Sequence, residues 1–304
     1  TMEGCTISGN TAGSETSDAY ANANAYGGGI YGESGTKIDM NDTTISENKV
    51  ASENDVDGAG VYLSGAELTM QENSKIYGNS CVFGGHASSY GGGVYINNSS
   101  TFTMTSGVIS KNSAEYGGGV YVYGGKFIMN GGSISNNTVT ENGKGVYVVK
   151  SNNIDPLFEI SGDASITEDN DVYLANGTTI TVTGNLTSTD TVATITPNEY
   201  STTRQVLVAG SGVNFTDKIV NRFLVTQENG NEWYVTVNGN LQNMEKDANG
   251  YYLGREPSDK VPTTETNGDV VLKKVSCSIE SYDNMLWIAH ELKTSTIHKF
   301  DIKL

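Results

Sequence analysis

The chain has 304 residues, among them 37 Gly and 4 Pro. A glycine share of about 12% without every-third spacing excludes collagen and a proline-rich linker, and 17% charged residues with a mean hydropathy of −0.34 exclude disorder driven by charge. With 18 Lys plus Arg against 35 Asp plus Glu, the net charge of −17 repels phosphate backbones and anionic lipid heads, so no nucleic-acid partner is expected.

The dominant signal is an internal repeat, and Thr1 falls inside it, which reads as a fragment or processed form. Each copy opens on Gly-rich residues followed by a β-branched residue and Tyr: Gly27-Gly28-Gly29-Ile30-Tyr31, Gly58-Ala59-Gly60-Val61-Tyr62, Gly91-Gly92-Gly93-Val94-Tyr95. Gly117-Gly118-Gly119-Val120-Tyr121 and Gly143-Lys144-Gly145-Val146-Tyr147 follow, then a degenerate Asp171-Val172-Tyr173. The β-branched positions 30, 61, 94, 120, 146 and 172 are spaced by 31, 33, 26, 26 and 26 residues. A second element pairs two apolar residues across one position: Ile38 and Met40, Leu68 and Met70, Phe102 and Met104, Phe127 and Met129, Phe158 and Ile160, Ile180 and Val182. A third is centred on Ile45, Ile76, Ile109, Ile134 and Ile166, with Ile7 left from an earlier copy.

Every element is short, alternates apolar with polar, and is bounded by Gly, Asn, Ser or Thr, the pattern of a strand with one buried face. Three such strands per repeat predict an all-β, three-sided parallel β-helix whose coils stack on one another. Some seven coils at the strand spacing of about 4.8 Å make a rod of roughly 30 to 35 Å. The glycines read as corner residues. No helix follows them to supply a phosphate site. Asn10, Asn48, Asn79, Asn112 and Asn137 end the third strands, with Asn170 one place out of register, and read as a structural ladder of side-chain amides.

The Gly-Gly-apolar motifs alternate with Ile45-Ser46-Glu47-Asn48, Ile109-Ser110-Lys111-Asn112 and Ile134-Ser135-Asn136-Asn137. Over about residues 1 to 185 this resembles the GGA[ILV] and FxxN repeats of polymorphic outer membrane proteins, with Ile where that family has Phe. More broadly it is similar to pectate-lyase-like right-handed β-helices of bacterial surface proteins and autotransporter passengers. The resemblance implies right-handed coiling and an extracellular, surface-displayed, adhesin-like protein, and it carries over no catalytic residue.

Residues 1–196 are assigned to the repeats and 197–253 to a β-rich continuation and cap, which Phe215, Phe223, Trp233 and Tyr234 could fill. Residues 254–268 have linker composition, and 269–304 read as a short tail or the start of a further domain. No stretch reaches the roughly 18 apolar residues of a membrane helix, so no membrane insertion is expected. Cys5, Cys81 and Cys277 have no metal spacing and allow at most one disulfide.

Strand alternation turns Tyr31, Tyr62, Tyr95, Tyr121, Tyr147 and Tyr173 outward in one column, beside the segments 11–26, 49–57, 80–90, 113–116 and 138–142, read as loops. This column is the candidate ligand-binding site, for a glycan or a cell-surface protein, on a chain expected to be a monomer. The other reading of the same residues is a stack of rings covered by the loops. Catalysis is not expected, because the outward column of the second strands places Asp39 and Glu159 four coils apart. No cofactor or metal is expected either, although the loop acids Asp55 and Asp57 could take Ca²⁺. His290-Glu291 with His298 lacks the HExxH spacing, His86 stands alone, and the Thr101, Thr103, Thr105 row of an ice-binding face is not continued by neighbouring coils. A polysaccharide lyase or glycoside hydrolase and a plain stalk remain as alternatives to the binding protein.

Overall fold

A strand of three residues buries one or two side chains, too few to stand alone, so each copy of the repeat must pair with the copies before and after it. The computed structural model describes residues 1–13, 24–52, 54–83, 88–97, 99–152, 154–187 and 190–244. It divides into two units: Thr1–Thr226 with Val235–Leu241, and Gln227–Tyr234 with Gln242–Leu304. The expected linker and tail, and with them Cys277, His290 and His298, lie outside the described residues.

In the first unit the three strands of every copy join three parallel sheets. One eight-stranded sheet runs from Ile30–Gly32 through Val94–Ile96 and Val146–Val149 to Ala193–Pro197 and Phe223–Val225. A second holds Lys37–Asn41, Thr101–Met104 and their equivalents out to Leu207–Ala209. The third, six-stranded, runs from Thr6–Ser8 to Ser165–Ile166. Equivalent residues lie in direct register, Val61 with Val94, Val94 with Val120, and Ile76 with Ile109, so identical side chains stack inside the coil. Phe102, Phe127 and Phe158 are fully buried, with ring centroids 5.0 and 5.1 Å apart and nearly parallel planes. This continuous apolar column is the source of the hydrophobic stabilisation.

The asparagine ladder forms at one corner. Nδ2 of Asn48, Asn79 and Asn112 donates to Oδ1 of the next asparagine at 3.0, 2.9 and 3.0 Å. The same nitrogens donate to the carbonyls of Ile7, Ile45 and Ile76 at 3.0, 3.1 and 2.9 Å. Each Oδ1 also accepts the backbone N–H of the preceding asparagine. All four valences of these buried amides are filled, and a flipped amide would set NH₂ against N–H. Asn170 belongs to the ladder, accepting from Asn137 Nδ2 at 2.8 Å. Its apparent displacement in the sequence is absorbed by the irregular turn before it. The left-handed residue of the corner is the one before each asparagine, as at Glu47 (φ 54°), Gly78 (φ 67°) and Lys111 (φ 57°).

The corner glycines make room for that ladder. A Cβ on Gly60, Gly93 or Gly119 would stand 2.5 Å from a glycine carbonyl of the next coil and 3.0–3.1 Å from an asparagine Nδ2.

The described parts of the segments expected as loops fold differently, while 14–23, 53 and 84–87, with His86, lie outside the described residues. Thr11–Gly13, Lys49–Ser52, Ser80–Phe83, Ser113–Ala114 and Thr138–Val139 form a five-stranded parallel sheet. Ala25–Tyr26, Val56–Asp57 and Ser89–Tyr90 form a three-stranded one. Together they build a lobe beside the first sheet with its own core of Ala25, Val50, Val56, Ala59, Cys81 and Ala114. Strands of two residues carry no readable alternation, so only their stacking reveals them. Cys81 is buried in this core and Cys5 is exposed, both as free thiols.

Coil strands continue beyond residue 196, and Phe223 is buried in the last strand of the first sheet. A one-turn helix at Asp217–Val220, too short to leave a periodic signal, buries Val220. Arg204 is almost fully buried and donates to the carbonyls of Gln205, Ala175 and Thr178 at 2.6, 3.0 and 2.9 Å, tying the turn after the sixth coil. Trp233 and Tyr234, expected in the cap, fall in the second unit. There Glu228 and Asn231 exchange backbone hydrogen bonds across Asn229-Gly230, both at positive φ, as a tight hairpin turn requires.

Asn112→Ala orphans the N–H and side-chain amide of Asn79 and the carbonyl of Ile76. At roughly 1–3 kcal/mol per buried group, a loss of about 3–5 kcal/mol is expected in denaturant unfolding, against less than about 0.5 for Ser110→Ala.

Candidate functional site

The outward residues of the first sheet are in register, so one tyrosine per coil must stack on the next. From Tyr31 to Tyr173 the five successive centroid distances are 5.2, 5.0, 5.4, 5.0 and 4.7 Å, with interplanar angles of 7° to 22°. Tyr62, Tyr95 and Tyr121 are each 7% exposed and Tyr31 is 51% exposed. Tyr147 and Tyr173 are half-buried. The structure thus brings all six candidate tyrosines together, the middle three beneath neighbouring side chains.

Those neighbours form a second column, at the position just before the first glycine of each copy. Tyr26, Asp57 and Tyr90 are consecutive register partners on the lobe, and Tyr116 continues the series. Each ring leans on the first-column ring of the following coil: Tyr26 on Tyr62 at 4.7 Å, Tyr90 on Tyr121 at 4.8 Å, Tyr116 on Tyr147 at 5.6 Å. On the other flank Tyr123 packs against Tyr95 and Tyr121, and Asn97 donates to the Tyr62 hydroxyl at 3.4 Å. Ten of the seventeen tyrosines are gathered on this one side.

Asp57, expected as a loop acid, is not in a loop. It lies in a strand, is 6% exposed, and its Oδ1 is buried without a hydrogen-bond partner. The signal was present in the repeat, because Asp57 precedes Gly58 as Tyr26, Tyr90 and Tyr116 precede Gly27, Gly91 and Gly117.

Burial sets the electrostatics. Desolvation first, and the neighbouring Asp55 second, push the Asp57 carboxyl up to about 8. Desolvation pushes Tyr62 and Tyr147 up to about 12 and raises Tyr95 and Tyr121 as well. The Cys81 thiol is pushed up to about 12 by burial, far from the thiolate a nucleophile needs. Tyr62, Tyr95, Tyr121, Tyr147 and Tyr173 are therefore neutral phenols at physiological pH. Stacking uses up the ring faces along the rod, so the array presents ring edges and hydroxyls outward.

Carboxylate chemistry elsewhere is sparse. Asp39, Thr69, Thr103, Ile128 and Glu159 are successive register partners, which sets the two acids four strands apart. Among the described residues no group of three His, Cys, Asp or Glu is placed to hold a metal ion.

A family model described as the right-handed beta helix region matches residues 1–163. The chain belongs to the right-handed β-helix family. The coils are accordingly right-handed, as the resemblance implied, and the matched residues include the lobe and the first five tyrosines of the outward column. No curated protein and no solved structure matches the chain. Family membership fixes the scaffold, a stack of parallel strands, and leaves the chemistry to what each member displays on it.

The Asp57 proton makes stability depend on pH with a definite sign. Below about pH 4 folded and unfolded chains both hold it; between about 4 and 8 only the folded chain does. Stability is therefore expected to fall as pH rises through that window and to level off above it. The change is on the order of a few kcal/mol. Asp57→Asn should flatten the slope in urea unfolding between pH 5 and 8; an unchanged slope would assign the proton elsewhere.

Proposed function

We propose that this β-helix protein is a non-catalytic, extracellular, surface-displayed binding protein of adhesin type. Its ligand is a glycan or a cell-surface protein, engaged along the tyrosine columns and the lobe beside them. The observation that carries the reading is the collection of ten tyrosines on one side of the rod, nine in two adjoining columns and Tyr123 on the other flank. Tyrosine combines apolar area with a polar tip at low entropic loss, which suits it to both ligand classes. The accessible members are Tyr31, Tyr26, Tyr90, Tyr116, Tyr147 and Tyr173, and these are the residues a ligand would meet.

A second reading, a polysaccharide-cleaving enzyme, is favoured by one observation. Asp57 keeps its proton up to about pH 8, as a general acid must. It lacks a visible second carboxyl in a shared cleft, since Asp55 is exposed while Asp57 Oδ1 is buried.

The test is a panel of plant, mucin and glycosaminoglycan polysaccharides, scored both for binding and for release of reducing or unsaturated ends, with and without Ca²⁺. Binding without cleavage is expected, and Tyr31→Ser with Tyr116→Ser should weaken it about tenfold with thermal stability nearly unchanged. End-group release abolished by Asp57→Asn would replace this reading with the enzyme; neither binding nor cleavage, of glycans or of cell-surface protein, would leave a stalk. The buried rings make poor probes of binding. Tyr121→Ala is expected to cost about 3–5 kcal/mol of stability in urea unfolding whatever the function, and Tyr121→Phe much less.

A further inference from the structure

The second tyrosine column has one interruption. Tyr26, Tyr90 and Tyr116 each lay a ring against the first column, and between Tyr26 and Tyr90 the chain supplies Asp57 instead. Asp57 shares their register, and its carboxyl lies near enough to Tyr62 and Tyr95 to act on both phenols. Two strand spacings separate Tyr26 from Tyr90, roughly 9.5 Å, which leaves about 6 Å between ring surfaces. A carboxyl group is smaller than the phenol ring that the neighbouring coils place at this position.

The chemistry of the gap is specific. Oδ1 of Asp57 has no partner, and the charged neighbour it feels is another acid, Asp55. No lysine or arginine is among the groups that shift it: burial and the like charge of Asp55 are what act on the carboxyl. A buried carboxylate without a donor is a position that asks for a cation. Tyrosine rings above, below and behind it offer π faces and edges. A divalent metal would need several more oxygen ligands than one carboxylate provides, and no such cluster stands among the described residues. A singly charged organic cation needs one carboxylate and aromatic walls.

We propose that this break in the column, with Asp57 at its base and Tyr26, Tyr62, Tyr90 and Tyr95 around it, is a subsite for an alkylammonium group. It rests on the binding reading above and adds the ligand's chemistry: a primary amine, carried by an amino sugar or by a lysine side chain. The half-buried rings of Tyr26 and Tyr90 are the entry, since partly exposed side chains change rotamer within nanoseconds. Entry of the cation displaces the proton that Asp57 otherwise keeps, so binding at neutral pH releases a proton.

The test uses a glucosamine hexasaccharide and a lysine-containing peptide, each against its N-acetylated form, titrated calorimetrically at pH 6 into the wild-type chain, Asp57→Asn and Asp57→Tyr. Circular dichroism and thermal unfolding establish that the variants are folded. The expected result is that acetylation weakens binding at least tenfold and that Asp57→Asn does the same for the free amine. Asp57→Tyr, which completes the column, should lose the amine while remaining folded. Which of the two free amines binds identifies the source of the ammonium group. Equal affinity for free and acetylated ligands overturns the subsite and leaves the tyrosine face standing as a binding surface. Equal affinity of wild type and Asp57→Asn for the free amine also overturns it, assigning the attraction to the overall negative charge. Failure of both amines to bind overturns it as well, and the polysaccharide panel then decides the binding reading by itself.

Discussion

One buried amide per coil sets the register of the whole rod. Each asparagine of the ladder accepts the backbone N–H of its neighbour in the preceding coil and donates to the neighbour in the following one. A coil shifted by one residue along its strands would leave these groups unsatisfied and turn every apolar side chain outward. The corner glycines follow from the same requirement, because a side chain at those positions would occupy the space of the amide or of the next coil's backbone. The phenylalanine stack inside and the tyrosine stack outside are then consequences of register, since whatever one coil displays at a position is set directly above its counterpart.

This explains how much of the molecule could be read from its sequence. The in-register residues repeat their chemistry, so the strands centred on Val94, Phe102 and Ile109, the ladder, and the six outward tyrosines were all legible. What was not legible lacked either repetition or length. The lobe strands, such as Val56–Asp57, are two to four residues long and show no alternation, and the helix Asp217–Val220 is a single turn. Asn170 seemed displaced because the turn before it differs in length from the others, while the amide itself returns to its place. Asp57 escaped for the opposite reason. It breaks the repeat, and a residue that breaks a pattern is visible only after the pattern has been aligned.

The site illustrates a tension between stability and display. Rings stacked about 5 Å apart exclude water from one another and pack the lobe onto the coil, which is why Tyr95 and Tyr121 are nearly as buried as core residues. The same stacking removes their faces from use by any partner. What such a surface leaves accessible is edges, hydroxyls and the exposed end of the column at Tyr31.

The coil-on-coil arrangement also has a mechanical side. Each coil touches only its neighbours, and the hydrogen bonds between coils lie along the rod axis. Tension applied through the two ends of the chain therefore reaches the terminal coil first and peels it before the next is loaded. In the regular part, where the repeat spans 26 residues, each released coil would lengthen the tether by roughly 90 Å of extended chain. That part of the rod would yield in equal increments, and the longer repeats before it in larger ones, dissipating work at every step while the remaining coils hold their shape.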